Sequence, residues 1–173
     1  MDLKETWEKY HKDIPRLSWH LRIHKAETWF RIHSLPESKR YPDSKDEESI
    51  LLDRHNEIAP LVLQDSRKLH LHWSWKSNLH GIAGTKTGSY EDDGVETPLY
   101  AAEVKSWSPG HYDELIRSVA HDELPAVIFM NPKTGNIYAP YDGGADIFIE
   151  ESKLRKRIQS QFAMWASQFE GGL

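Results

Sequence analysis

Apolar residues recur along this chain in two rhythms, one of period 3.6 and one of period two, and the switches between them mark out its elements. Residues 2–12 read as a helix, with Leu3, Trp7 and Tyr10 on one face and Asp2 placed to cap it. Pro15 ends that segment. From Trp19 to His24 the rhythm falls to two. Trp19, Leu21 and Ile23 alternate with His20, Arg22 and His24, which predicts a half-buried strand. A turn at Lys25-Ala26-Glu27 would lead into a second strand over Thr28–His33, and the two strands are expected to form a hairpin.

A proline-bracketed loop, residues 34–42, precedes a helix starting at Asp43 or Ser44. Asp46, Glu47 and Glu48 suit its positive end. Leu51, His55, Ile58 and Val62 line one of its faces. Pro60 is expected to end it near Glu57 or to kink it, because proline has no N–H to donate. Leu69–Lys76 is the cleanest strand, with Leu69, Leu71, Trp73 and Trp75 alternating with His70, His72, Ser74 and Lys76. Residues 77–96, with their glycines and acids, read as a long mobile loop. Pro98–Trp107 returns as a strand, and Ser108-Pro109 opens a helix running to about His121 that buries Tyr112, Leu115 or Ile116, and Val119.

The last third is the best specified. Ala126–Met130, Ile137–Tyr141 and Asp146–Ile149 are three strands joined by short turns, an antiparallel meander. Glu150–Gln168 closes the chain as a helix with the stripe Leu154, Ile158, Phe162, Trp165 and Phe169. Lys153, Arg155, Lys156 and Arg157 crowd its first half, where the helix dipole disfavours cations. Glu150, Glu151, Asp142 and Asp146 are the acids available to compensate. The succession predicts a single α+β domain over residues 1–173: a mainly antiparallel sheet with a C-terminal three-strand meander and helices packed on it.

Composition narrows the function. A mean hydropathy of -0.70 says that much of the chain faces water, while seven Trp and seven Tyr supply large buried areas for a core. A net charge of -5 disfavours nucleic acid as a partner. The absence of cysteine removes disulfides, thiolate-bound zinc and thiol catalysis, and suits a reducing compartment. No apolar run is long enough to span a bilayer and the first residues are polar, so a cytoplasmic protein with no membrane partner is expected.

Four stretches carry candidate chemistry. In Tyr141-Asp142-Gly143-Gly144-Ala145-Asp146, two carboxylates flank a glycine pair. They suit a cation or a basic partner, or simply a hairpin turn in which Asp and Gly supply the backbone angles. His70 and His72 share a strand face at the spacing of two metal ligands, with His80, Glu103, His20 or His24 as a third, or else form a polar sheet face. Glu103-Val104-Lys105 has the Glu-x-Lys form of metal-dependent nucleases, with Asp93 as the upstream acid, or is a solvent-facing ion pair. Lys39, Arg40 and Tyr41 form either a small anion site or a solvated loop. No nucleophile elbow, Walker loop or dinucleotide fingerprint is present.

The segment Ile137–Asp146, followed by a helix with Trp165 near its end, resembles an uncharacterised bacterial domain family. That family carries a Tyr-x-Pro-Tyr-Asp segment before a tryptophan-containing helix. Leu21-Arg22-Ile23 and the helix after Arg40 are similar to its early half. The resemblance implies a small bacterial domain and no particular chemistry.

These readings converge on a non-enzymatic protein-binding module without a cofactor, for example an immunity or antitoxin protein that neutralises a basic toxin. Its surface is expected at Tyr141, Asp142 and Asp146 with the acids Glu91, Asp92 and Asp93. The alternative is a metal-dependent hydrolase or nuclease using His70, His72 and Glu103. A third reading is a small-ligand sensor with an aromatic pocket near Trp73 and Trp75.

Overall fold

The computed structural model describes residues 2–64, 66–124 and 126–166. Helix α1 (Leu3–Tyr10) starts at a capping box. The Asp2 side chain accepts from the Glu5 N–H, and the Glu5 side chain accepts from the Asp2 N–H. Helix α2 (Ser18–His24) stands where alternation predicts a strand. Seven residues are too few to separate the two periods. In the helix only Leu21 is fully buried, while Trp19 and Ile23 point to solvent. Strand β1 (Trp29–His33) follows as expected, without the hairpin partner.

Helix α3 (Lys45–Leu63) begins at Ser44, whose hydroxyl accepts from the Glu47 N–H, and buries Leu51, His55, Ile58 and Val62. It neither ends nor breaks at Pro60, which lies inside it. Burial of Ile58, Ala59, Val62 and Leu63 outweighs the hydrogen bond that proline cannot donate. Two buried amides cap its end: Asn131 Nδ2 donates to Leu63 O at 2.6 Å and Asn136 Nδ2 to Val62 O at 3.0 Å.

Strand β2 (Lys68–Ser74) is central. Residues 77–96 are not a long loop. They contain β3 (Asn78–Leu79), β4 (Ile82–Ala83) and β5 (Thr85–Asp92), and β6 (Val95–Lys105) begins within the same stretch. Both connecting turns, His80-Gly81 and Asp93-Gly94, hold two residues at positive φ, the geometry that a right-twisted hairpin needs. Helix α4 (Asp113–Ala120) starts four residues after Pro109. Strands β7 (Ile128–Met130), β8 (Ile137–Tyr141) and β9 (Gly144–Phe148) form the expected meander. Helix α5 (Ser152–Gln161) is followed by a 3-10 turn at Ala163–Trp165. Phe169 and the end of the expected last helix lie outside the described residues.

The fold is α+β. Seven strands form one antiparallel sheet in the order β1-β9-β8-β7-β2-β6-β5, and β3 and β4 pair separately. One face packs Leu71, Trp73, Phe129, Tyr138 and Ile147 against α3, α4 and α5. The other packs Ile128, Met130, Ile137 and Phe148 against Trp7 of α1 and Leu21 of α2. Residues of β2 are therefore covered on both faces, and its histidines are buried rather than lying on a wet sheet face.

Candidate functional site

The register of β1 against β9 sets Arg31 directly opposite Asp146, and the small Ala139 of β8 flanks the carboxylate on its other side. Arg31 grips it through both oxygens, at 2.9 and 3.2 Å. The Trp29 indole donates to Oδ1 at 2.9 Å, and Arg22 Nε of α2 lies 3.8 Å from Oδ2. Asp146 is 2% exposed. Arg31 also stacks over the half-buried Tyr141 ring at 4.4 Å. Burial pushes the Tyr141 phenol up to about 12 against the pull of Arg31. Asp142 at the turn accepts from Arg40 Nε at 2.6 Å and the Tyr41 hydroxyl at 2.9 Å.

These contacts correct the expectation for Asp146. Its carboxylate is internal and taken by the chain's own cations, so no partner can reach it. Asp142 and Tyr41 are likewise engaged with each other, and Lys39 pairs with Asp43 and Glu47, so residues 39–41 do not offer an open anion site. Nor do Asp142 and Asp146 compensate the cations of α5. Arg155 donates instead to the backbone carbonyls of Ile149 and Glu150.

The glycine pair is needed for space and not for backbone angle, because neither residue adopts a positive φ. A Cβ on Gly144 would lie 1.9 Å from the Ile32 carbonyl oxygen, in the middle of the β1–β9 ladder. Gly143 O accepts from the Ser34 N–H at 3.0 Å, which ties the turn to the end of β1.

Glu91, Asp92 and Asp93 are exposed at the tip of the β5–β6 hairpin, at the opposite edge of the sheet from β1. The strand order therefore sets Glu91, Asp92 and Asp93 apart from the β8–β9 turn that carries Tyr141 and Asp142. Helix α2 links the two regions. Its Arg22 reaches Asp146, while Trp19 and His20 pack on Tyr90 of β5 at 5.7 and 4.7 Å between ring centroids. Trp19 also stacks on His20 at 3.6 Å. Burial lowers the His20 pKa, His24 lowers it further, and Asp92 opposes both. Trp19 is 39% exposed and Ile23 67%. Sequence reading missed this surface because it placed residues 19–24 in a strand.

His70 and Glu103 are register partners across β2 and β6, on the same face as His72. Glu103 is bonded to Lys68, and His72 is sealed beneath the Trp7 ring at 4.9 Å. Burial holds the His72 pKa well below the usual imidazole range, with Arg16 adding to the effect. Asp93 sits in the β5–β6 turn, far along the strand from Glu103. Among the described residues no group of three or more His, Asp or Glu side chains is placed to hold a metal ion. Trp73, Trp75, Leu79 and Leu124 line a cavity of about 320 Å³, in which Trp73 is buried and Trp75 is 56% exposed.

Among the described residues no helix is long and apolar enough to cross a membrane. Neither a curated protein nor a solved structure matches the chain. A family model matches residues 17–170, from α2 through the whole sheet, and the chain belongs to that family, the domain of unknown function DUF3885.

Proposed function

We propose that this protein is a non-enzymatic protein-binding module whose docking surface is the exposed side of α2 together with the β5–β6 hairpin. The observation that carries the reading is an aromatic centre with an acidic rim. Trp19 and Ile23 are exposed large apolar side chains, Trp19 is held in place by His20 and Tyr90, and Glu91, Asp92, Asp93 and Glu96 surround the hairpin tip. A braced tryptophan loses little freedom on binding, which is why such residues dominate interface energies. No Lys or Arg occurs between Thr87 and Val104, so the hairpin presents an uninterrupted negative potential.

The partner of matching chemistry is a basic protein, and in its finer form the proposal is a bacterial, cytoplasmic immunity-type protein that neutralises a basic toxin. The surface keeps the hairpin acids Glu91, Asp92 and Asp93 of the sequence expectation and replaces Tyr141, Asp142 and Asp146 with α2. The experiment is affinity capture by the wild-type protein in parallel with Trp19→Ala and Asp92→Lys/Asp93→Lys variants. A basic protein retained by the wild type, eluted by salt and lost from both variants supports the reading. Capture that survives both substitutions refutes it. Rescue of growth on co-expression with the captured protein then tests the antitoxin form.

A further inference from the structure

The two edges of the seven-stranded sheet are finished differently. At one edge β1 is bridged by Ala166 through Ile32. At the other, β5 pairs with β6 alone, and among the described residues no backbone group outside β6 bonds to it between Thr85 and Asp92. An open edge is a template for another strand unless something blunts it. The first half of β5 is blunted: it carries Lys86, and an extra residue, Thr87, bulges between Lys86 and Gly88. The second half, Gly88–Asp92, keeps an unbroken register against β6 and holds neither lysine nor proline.

The turn decides which of its backbone groups point outward. Asp93-Gly94 is a two-residue turn with both residues at positive φ, so Asp92 and Val95 close it as a hydrogen-bonded pair. Bonded and non-bonded pairs alternate from there. Tyr90 with Thr97 and Gly88 with Leu99 are bonded pairs, whereas Glu91 with Glu96 and Ser89 with Pro98 are not, which suits Pro98, because proline has no N–H to give. The N–H and C=O groups of Ser89 and Glu91 therefore face away from β6, four backbone groups at the i, i+2 spacing of a strand ladder.

Charge says what kind of strand fits this edge. Glu91 lies directly opposite Glu96, a like-charge cross-strand pair that costs stability until a cation joins it. Asp92 and Asp93 follow, and among the described residues none of these four acids has an ion-pair partner. On the other face of the strand, Tyr90 and Asp92 lie on the side of α2, where Trp19 and His20 pack on the Tyr90 ring.

We infer that the partner of this surface docks by strand addition, an extended lysine- or arginine-rich segment pairing with Gly88–Asp92 as an eighth strand. The inference rests on the docking reading above and specifies how the partner is held. Main-chain bonds to Ser89 and Glu91 supply affinity, and alternate side chains supply specificity. On one face a cation meets Glu91 and Glu96. On the other a cation meets Asp92, and an apolar side chain lies beside Tyr90 and the exposed Trp19. A second copy of this chain is a poor occupant, because it brings its own acids to the same edge.

The test is an NMR titration of the full chain at low salt with a short, end-blocked peptide of alternating lysine and valine. The controls are the same peptide N-methylated at every amide, which keeps the charge and removes the donors, and a peptide of alternating glutamate and valine. The first peptide is expected to bind and to protect the Ser89 and Glu91 amides from hydrogen exchange, and neither control should do so. Ser89→Pro is expected to weaken binding about tenfold or more, since it removes an outward donor and puts a ring in the path of the added strand. Proline is tolerated on an edge strand where the N–H faces solvent, and an unchanged unfolding midpoint checks that the ladder survives. Equal binding of the N-methylated peptide, or undiminished binding by Ser89→Pro, overturns strand addition and leaves the docking reading in place. A free chain that sediments as a dimer and is dissociated by Ser89→Pro overturns it too, because a second copy then holds the edge. Silence of the lysine–valine peptide at millimolar concentration also overturns it, and the docking reading is then decided by affinity capture, which assumes no strand.

Discussion

Replacing Asp146 with Asn is the most discriminating perturbation of the C-terminal turn. Asparagine keeps the side-chain shape and one oxygen for the Trp29 indole, but leaves Arg31 without a counter-charge. The Asp146 side chain is 3% exposed and that of Arg31 12%, so the stranded cation cannot be rescued by water. Breaking a buried pair from one side costs about 3–5 kcal/mol. At about 2–4 °C per kcal/mol for a chain of this size, the melting temperature should fall by roughly 6–20 °C. Asp142→Asn supplies the contrast. Its partner Arg40 is 64% exposed, and such a pair contributes about 0–1 kcal/mol. Urea unfolding of both variants, with Arg31→Gln and the double variant Asp146→Asn/Arg31→Gln, completes a cycle. The double variant should lose clearly less than the sum of the singles, because removing both charges strands neither. Equal losses for Asp146→Asn and Asp142→Asn, or simple additivity in the cycle, would show that Asp146 is not the buried anchor described above.

Three further outcomes follow from the geometry. Gly144→Ala should destabilise more than Gly143→Ala, because its Cβ meets a ladder carbonyl at 1.9 Å, whereas that of Gly143 meets the Tyr141 ring at 3.1 Å; chemical unfolding of the two variants checks the order. Trp7→Ala should cost about 3–5 kcal/mol, since the ring is fully buried between His11 and His72 and its indole donates to Ile14 O; the midpoint of urea unfolding reads it. Stability should fall as pH drops below 6.5. Burial lowers His11 to about 4 and His55 to about 3, and holds His72 well below its usual range, so the unfolded chain binds protons in this window that the folded chain refuses. Each histidine contributes a slope of up to about 1.4 kcal/mol per pH unit, which unfolding free energies measured between pH 5 and 7 will show, and a flat profile would contradict the burial of these rings.

The parts of the fold legible in the sequence are those where local pattern and tertiary environment agree. Leu51, His55, Ile58 and Val62 keep helical spacing over about three turns, and α3 forms with that face buried. The meander was legible because turn chemistry separates its strands. The failures have physical causes. In α2 a six-residue alternation fits either period, and the exposure of Trp19 and Ile23 depends on what packs nearby. Strand β5 carries almost no apolar residue because it is an edge, wet on one side, and its Gly88 reads as loop. The Asp93-Gly94 pair was the signal that could have identified the hairpin. The site was less legible than the fold. The partners of Asp146 are Trp29 and Arg31, more than a hundred residues away in sequence, and only the strand register brings them together.

The most distinctive motif of the sequence thus does structural work. Tyr141 to Asp146 is distinctive because three independent demands fall on it: a two-residue turn, a glycine where β1 crowds β9, and a carboxylate to neutralise Arg31 inside the sheet face. None of these demands needs a ligand, so the segment's distinctiveness does not by itself imply chemistry. The charges left over for function lie elsewhere, in the acids at the β5–β6 turn. At the far end of the same strands, helix α1, which precedes the matched span, lends Lys4 to the cavity beside His70 and covers His72 with Trp7. That end is finished partly by residues outside the family segment, whereas the acidic hairpin and α2 lie within it. A role shared across the family therefore fits the proposed docking surface better than the end of the sheet beside His70, which needs helix α1.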